Sequence, residues 1–182
     1  MHSQQSGAQT DRRGFFKKSL ALIIGGAAAL LPAIAALKVL LDPLRHKSAA
    51  GTAIKIVTLD AVPADGVPRK FPVLAAKMDA WNKFQNVPIG AVYLRRTGDG
   101  KLEALNVVCP HAGCFVDFSP AKEGFVCPCH NSHFNLDGKI ASKKSPSPRG
   151  LDSLPVEVDA DGVIWVTFQN FQAGRPDKVP VA

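Results

Sequence analysis

All four cysteines of the chain lie within residues 109 to 134, in two short segments: Cys109-Pro-His111-Ala-Gly-Cys114 and Cys127-Pro-Cys129-His130-Asn-Ser132-His133-Phe134. Thiolates and imidazoles are metal donors, and the first chemistry they suggest is a tetrahedral zinc site built from four of them, in a non-redox binding module. The common zinc pattern puts both Cys in one loop and both His in another. Here each segment can give one Cys and one His, and two Cys remain over. A binuclear [2Fe-2S] centre in which two His replace two Cys on one iron makes that mixture intelligible. Thiolates suit the buried ferric iron, and neutral imidazoles suit the iron that carries the added electron, because they remove negative charge and raise the potential. On spacing alone both readings stay open.

Positioning two such loops calls for a rigid scaffold, and from Ile54 onward the pattern is that of short strands. Residues 54–59 read as a strand, residues 91–97 and 101–108 as a hairpin across Gly-Asp-Gly, and residues 154–158 and 163–169 as another across Asp-Ala-Asp-Gly. Short strands separated by Gly, Asp and Pro turns predict an antiparallel sandwich or barrel. Residues 75–88 are ambiguous. Met78, Trp81 and Phe84 at a spacing of three could line a helical turn, and core packing is their expected role. With 182 residues the chain has room for one domain with a real hydrophobic core plus appendages. The formal charge of +7 is uneven: residues 1–47 carry seven Lys/Arg against two Asp, leaving 15 basic and 13 acidic residues in 48–182. A basic excess gathered beside an apolar segment argues against nucleic-acid binding.

That segment begins with Arg12 and Arg13, followed by Phe15, Phe16 and Lys17 and an apolar run to Leu41. The pattern resembles a twin-arginine export signal, with Asp11 in the position usually held by Ser or Thr and Phe16 in place of Leu. Ser19 to Leu41 is 23 residues with one charge, Lys38, near its end. About 20 apolar residues cross a bilayer, so the segment can span. Ala33-Ile34-Ala35 resembles a peptidase site, but the apolar run continues past it, which favours an uncleaved anchor. The basic N-terminal flank favours a cytoplasmic N-terminus and a domain on the other side. The expected organisation is a cytoplasmic signal region at 1–18, a transmembrane anchor at 19–41, a flexible tether at 42–53 and a domain at 54–182, with its metal-binding loops at about 109–150.

The pair CPHAGC and CPCHNSHF resembles the Rieske iron-sulfur protein family. The resemblance implies an all-β fold, a Rieske-type antiparallel β sandwich with a small cluster-binding subdomain, preceded here by one N-terminal transmembrane helix. Carried over by position, Cys109 and Cys127 would bind one iron of a single [2Fe-2S] cluster per subunit, and His111 and His130 the other. In the respiratory branch a disulfide joins the two loops, which implies Cys114 to Cys129. It would close a loop of about fifteen residues, worth about 3 kcal/mol in the chain-entropy model, and it fits an oxidising compartment. Residues 145–150 stand where the family has its Pro-rich third loop, so Pro146 and Pro148 would act as a lid over the cluster. Ser132 stands where respiratory members place a hydroxyl donor to a bridging sulfide, and Phe134 where high-potential members have Tyr. This implies a lower potential, of the menaquinol-linked kind. His133 has the wrong spacing for a ligand and is expected to face solvent. Lys143 and Lys144 could meet an acidic redox partner.

The function this resemblance implies is electron transfer within a quinol:cytochrome c oxidoreductase of the cytochrome bc type. His130 or His111 would take the quinol proton, a cytochrome b-type subunit and a c-type cytochrome would be the partners, and the domain would lie on the periplasmic side of a bacterial inner membrane. The rival within the family is the small Rieske subunit of an arsenite oxidase-like molybdoenzyme.

Overall fold

In the computed structural model the described residues are 12–41, 51–78 and 81–181. The chain divides into two units, residues 1–47 and 48–182.

The first unit contains one helix, α1 (Arg12–Leu41), in which Gly14–Leu41 forms a stretch long and apolar enough to cross a membrane. At 1.5 Å per residue these 28 residues run to about 42 Å, beyond the roughly 30 Å of a hydrocarbon core. Pro32 stands inside the helix, which transmembrane helices tolerate. Arg12 and Arg13 are already helical, so no break separates the expected signal region from the expected anchor. Residues 42–50, most of the expected tether, lie outside the described residues.

The second unit is antiparallel β throughout, as expected. Its strands are β1 (Thr52–Thr58), β2 (Arg69–Met78), β3 (Lys83–Arg96), β4 (Leu102–Asn106), β5 (Asp117–Ser119), β6 (Gly124–Val126), β7 (His133–Asn135), β8 (Ser153–Leu154), β9 (Val156–Val158) and β10 (Val163–Phe168). They form three sheets, ordered β1-β10-β9, β2-β3-β4-β8 and β5-β6-β7. The first two enclose a core of Val62, Val73, Val92, Leu94, Ala104, Leu154, Ile164, Val166 and Phe168. Strict alternation in β10 buries Ile164, Val166 and Phe168 on that side.

The third sheet builds a small subdomain with its own core, and β3 joins the two. Because successive strand residues point to opposite faces, Val92 and Leu94 enter the base core while Tyr93, between them, enters the second one. The Tyr93 ring lies 4.8 Å from that of Phe125. Its hydroxyl accepts from the Phe118 amide at 3.0 Å and donates to the Val116 carbonyl at 3.3 Å.

Residues 75–88 correct the sequence reading. Among the described residues they hold no helical turn: β2 and β3 pair from Arg69↔Leu94 to Met78↔Lys83, whereas β4 covers β3 only from Val92 onward. The distal part is therefore a two-stranded arm with no third strand beside it among the described residues. Met78, Trp81 and Phe84 are 68%, 91% and 47% exposed and pack in neither core.

Candidate metal centre

Strand β4 ends at Asn106 and feeds the first Cys/His segment, and β6 and β7 bracket the second. Each segment folds as the same turn. In the first, the Cys109 amide donates to the Cys114 carbonyl (2.7 Å) and the Gly113 amide to the Cys109 carbonyl (3.0 Å). In the second, the Cys127 amide donates to the Ser132 carbonyl (2.8 Å) and the Asn131 amide to the Cys127 carbonyl (3.0 Å). The fifth residue of each turn has a positive φ, +81° at Gly113 and +56° at Asn131. Gly adopts this region freely, and Asn is among the few side chains that tolerate it.

The disulfide Cys114–Cys129 joins the two turns, as the sequence resemblance implied. Cys109 and Cys127 remain free thiols, buried to 0% and 1% exposure within the same apolar core as Phe125 and Phe134. The rings of His111 and His130 meet edge-on with centroids 4.8 Å apart. His111 is half-buried and His130 exposed. The sulfurs of Cys114, Cys127 and Cys129 lie within 4.8 Å of one another, but two of them are disulfide sulfurs with no thiolate to offer. The donors left for a metal are the two buried thiols and the two imidazoles.

The electrostatics fit a site for a cation. Burial pushes the Cys109 thiol up, against the pull of the His111 amide and the Ser132 hydroxyl, and the neighbouring Cys127 pushes it up further. A thiolate in this pocket needs a positive partner, which a bound metal supplies. Two buried polar atoms beside the thiols have no hydrogen-bond partner, Nδ1 of His111 and Oγ of Ser132. The Ser132 hydroxyl lies near enough to Cys109 to influence it but forms no hydrogen bond of proper geometry with any protein atom. These orphaned atoms fit a group that accepts one nitrogen ligand and one hydroxyl hydrogen bond.

Around these donors, Phe134 is fully buried. Its carbonyl oxygen lies 2.1 Å from where a Cβ on Gly124 would stand, so the β6–β7 pairing needs glycine there. In the Pro-rich loop both Pro146 and Pro148 are exposed, and the buried residue is Ser147, whose hydroxyl donates to the Arg149 carbonyl at 2.8 Å. Lys143 and Lys144 are exposed. His133 departs from expectation: it is half-buried in β7 with Nε2 enclosed, because the chain folds back to bond its carbonyl through the Ala141 amide (2.9 Å). Arg12 is exposed.

The sequence reading missed Asn106 and the Arg149–Asp152 pair. Asn106 is 1% exposed. Its Oδ1 accepts from the Val108 amide (3.0 Å), and its Nδ2 donates to the Gln169 carbonyl (2.9 Å) and Asn170 Oδ1 (3.0 Å). A polar residue at the end of β4, three positions before the first Cys, was the available sign.

The family model of the Rieske [2Fe-2S] domain matches residues 60–156. The cytochrome b6-f complex iron-sulfur subunit of Chlorobaculum tepidum is 32% identical over 163 residues, covering 89% of this chain and 78% of that protein. The chloroplastic cytochrome b6-f complex iron-sulfur subunit of Volvox carteri is 41% identical over 81 residues, 43% of this chain and only 37% of that one. Among solved structures, the plasma membrane Rieske protein PetC3 of Synechocystis is 28% identical, with 63% of this chain and 99% of that chain covered at a TM-score of 0.45.

Proposed function

The chain belongs to the Rieske [2Fe-2S] domain family, and from that premise we propose that it is the iron-sulfur subunit of a membrane quinol:cytochrome c oxidoreductase of the cytochrome bc or b6-f type. Cys109 and Cys127 hold one iron and His111 and His130 the other. A disulfide between two like turns, which leaves two buried thiols and two adjacent imidazoles as the free donors, is the observation that carries this assignment. The relatives' names, cytochrome b6-f complex iron-sulfur subunits, support this system over an arsenite oxidase.

When bound, the cluster supplies a one-electron acceptor of raised potential. The protein's own part is to handle the proton. A His that binds metal through one ring nitrogen keeps the other available. Nδ1 of His111 is buried without a hydrogen-bond partner and would be the nitrogen that holds the metal, which would leave Nε2 for the proton. His130, the more exposed of the two, accepts the hydrogen bond from the quinol hydroxyl at its outward nitrogen and then takes the proton. Ser132 would donate its hydroxyl towards the sulfur side, the buried ring of Phe134 keeps water from the thiols, and Pro146 and Pro148, exposed as they are, contribute no amide donor. Residues 1–18 form a cytoplasmic export-signal region with Arg12 and Arg13, and 19–41 the anchor. Residues 42–53 are the tether of the domain 54–182, which lies on the periplasmic side of a bacterial inner membrane.

The test is to purify the full chain with its cluster and record visible absorption, the EPR signal of the reduced form and reduction by membrane quinols. Replacing Cys109, His111, Cys127 or His130 with Ala is expected to abolish the chromophore, and quinol is expected to reduce the wild type. A colourless protein holding one divalent ion, a chromophore that survives loss of an imidazole, or a cluster reduced by dithionite but by no quinol refutes the assignment.

A further inference from the structure

We propose that Arg149 is a positioning residue for the cluster site, clamping the carboxy-terminal segment 169–181 onto the first Cys/His turn so that this segment serves as a further wall of the site. The inference rests on the ligand assignment above and not on the identity of the electron donor.

Arg149 and Asp152 form a two-point ion pair, Nε to Oδ1 at 3.0 Å and Nη2 to Oδ2 at 2.8 Å, with side chains only 11% and 7% exposed. The remaining terminal nitrogen, Nη1, points away from the pair and donates to two backbone carbonyls, Gln172 at 3.1 Å and Arg175 at 2.6 Å. One guanidinium therefore ties the Pro-rich loop to the far end of the chain. Only Arg has a planar fork that can serve a carboxylate and two carbonyls at once.

The tied segment is itself ordered as a small hairpin. Phe171 bridges Pro180, the Gln172 amide donates to the Val179 carbonyl (2.9 Å), and the Val181 amide donates to the Asn170 carbonyl (2.9 Å). At its bend the Gly174 amide donates to the Pro110 carbonyl at 2.8 Å. Pro110 is fully buried and stands between Cys109 and His111, so this one bond reaches the turn that carries both donors. Asn106 closes the circuit from below. Its amide donates to the Asp152 carbonyl (2.8 Å), and its side chain holds both Val108 and the start of the hairpin. Loosening Arg149 frees the segment at Gln172 and Arg175, the residues that flank Gly174, and with it the restraint on Pro110.

The experiment compares the cluster-loaded full chain with Arg149→Gln, Arg149→Lys, Gly174→Pro and the double variant Arg149→Gln/Gly174→Pro. Gly174→Pro removes the amide that reaches Pro110 and, because proline cannot take the φ of +74° found there, opens the bend of the hairpin as well. Cluster release to a chelator is followed well below the melting temperature, beside the EPR line shape of the reduced protein and circular dichroism. We expect Arg149→Gln, Arg149→Lys and Gly174→Pro each to release the cluster about tenfold faster, the size expected for losing one or two hydrogen bonds, with a shifted EPR line shape and unchanged circular dichroism. The double variant should be no faster than either single one, because both act on one circuit. Release and line shape unchanged in folded variants overturn the proposal and leave the pair a matter of fold stability. Rescue by Arg149→Lys overturns it in favour of charge alone, and additive effects overturn the shared circuit. Failure of the ligand assignment shows separately, as a cluster that persists when Cys109 or His111 is replaced.

Discussion

Replacing Ser132 with Ala should change stability in opposite directions with and without the cluster. The side chain is wholly buried, and its hydroxyl has no partner of hydrogen-bond geometry in the protein. Leaving a buried hydroxyl unsatisfied costs about 1–3 kcal/mol, so in the cluster-free protein Ser132→Ala removes that penalty. It should raise the melting temperature by about 2–8 °C per kcal/mol recovered. In the loaded protein the same hydroxyl would donate to sulfur, and the bond would be stronger in the reduced, more negative state. A hydrogen bond is worth about 1 kcal/mol between neutral groups and up to about 3 kcal/mol when one is charged. One-electron couples move about 59 mV per tenfold change in equilibrium. Ser132→Ala should therefore lower the midpoint potential by about 40–130 mV. A redox titration followed by EPR reads the second effect, and thermal melts of the two forms read the first. Equal destabilisation of both forms with an unchanged potential would refute the reasoning, since it would mean that the hydroxyl is an ordinary packing group.

Two further outcomes follow from local geometry. Gly124→Ala places a methyl 2.1 Å from the Phe134 carbonyl, a backbone atom that cannot rotate aside. The cost should be at least about 3 kcal/mol, read as a fall in the urea midpoint of roughly 1 M or more. A midpoint within error of wild type would show that the β6–β7 pairing can separate freely. Asp99, in the β3–β4 turn, is held at a pKa of about 2 by the Thr97 hydroxyl and then by Lys101, against an ordinary 3.8. A lowered carboxylate stabilises the fold at pH values above its unfolded pKa and loses that contribution as pH falls through the folded one. Wild type should therefore be the more stable protein in urea melts near neutral pH, and its advantage over Asp99→Asn should shrink between about pH 5 and pH 2. An advantage independent of pH would assign it to the turn's hydrogen bonds rather than to charge.

Much of the scaffold was legible because its cause is local. The hairpins at 91–108 and 154–169 carry their own turn residues and period-2 alternation, and they appear as β3–β4 and β9–β10 with the turns where expected, although β3 begins at Lys83, eight residues before the expected start. The Cys114–Cys129 pairing was legible through resemblance, since four Cys alone permit three pairings. The arm was not legible: apolar residues at 78, 81 and 84 look like core in any window, and only the length of β4 decides that they lie beyond the third strand. The environment of His133 depends on where residue 141 folds back, which no nearby residue announces. The Arg149 clamp joins positions more than twenty residues apart, and in sequence Arg149 and Asp152 look like ordinary surface charges.

Each Cys/His turn is closed by two amide-to-carbonyl bonds of its own, so the sulfur-sulfur link fixes the gap between two finished pieces and forms neither. Shape and spacing are under separate control. A reductant is therefore expected to unlatch the two halves without melting them, which would leave the order of events in maturation free. Metal could then enter while the latch is open, with oxidation shutting it afterwards.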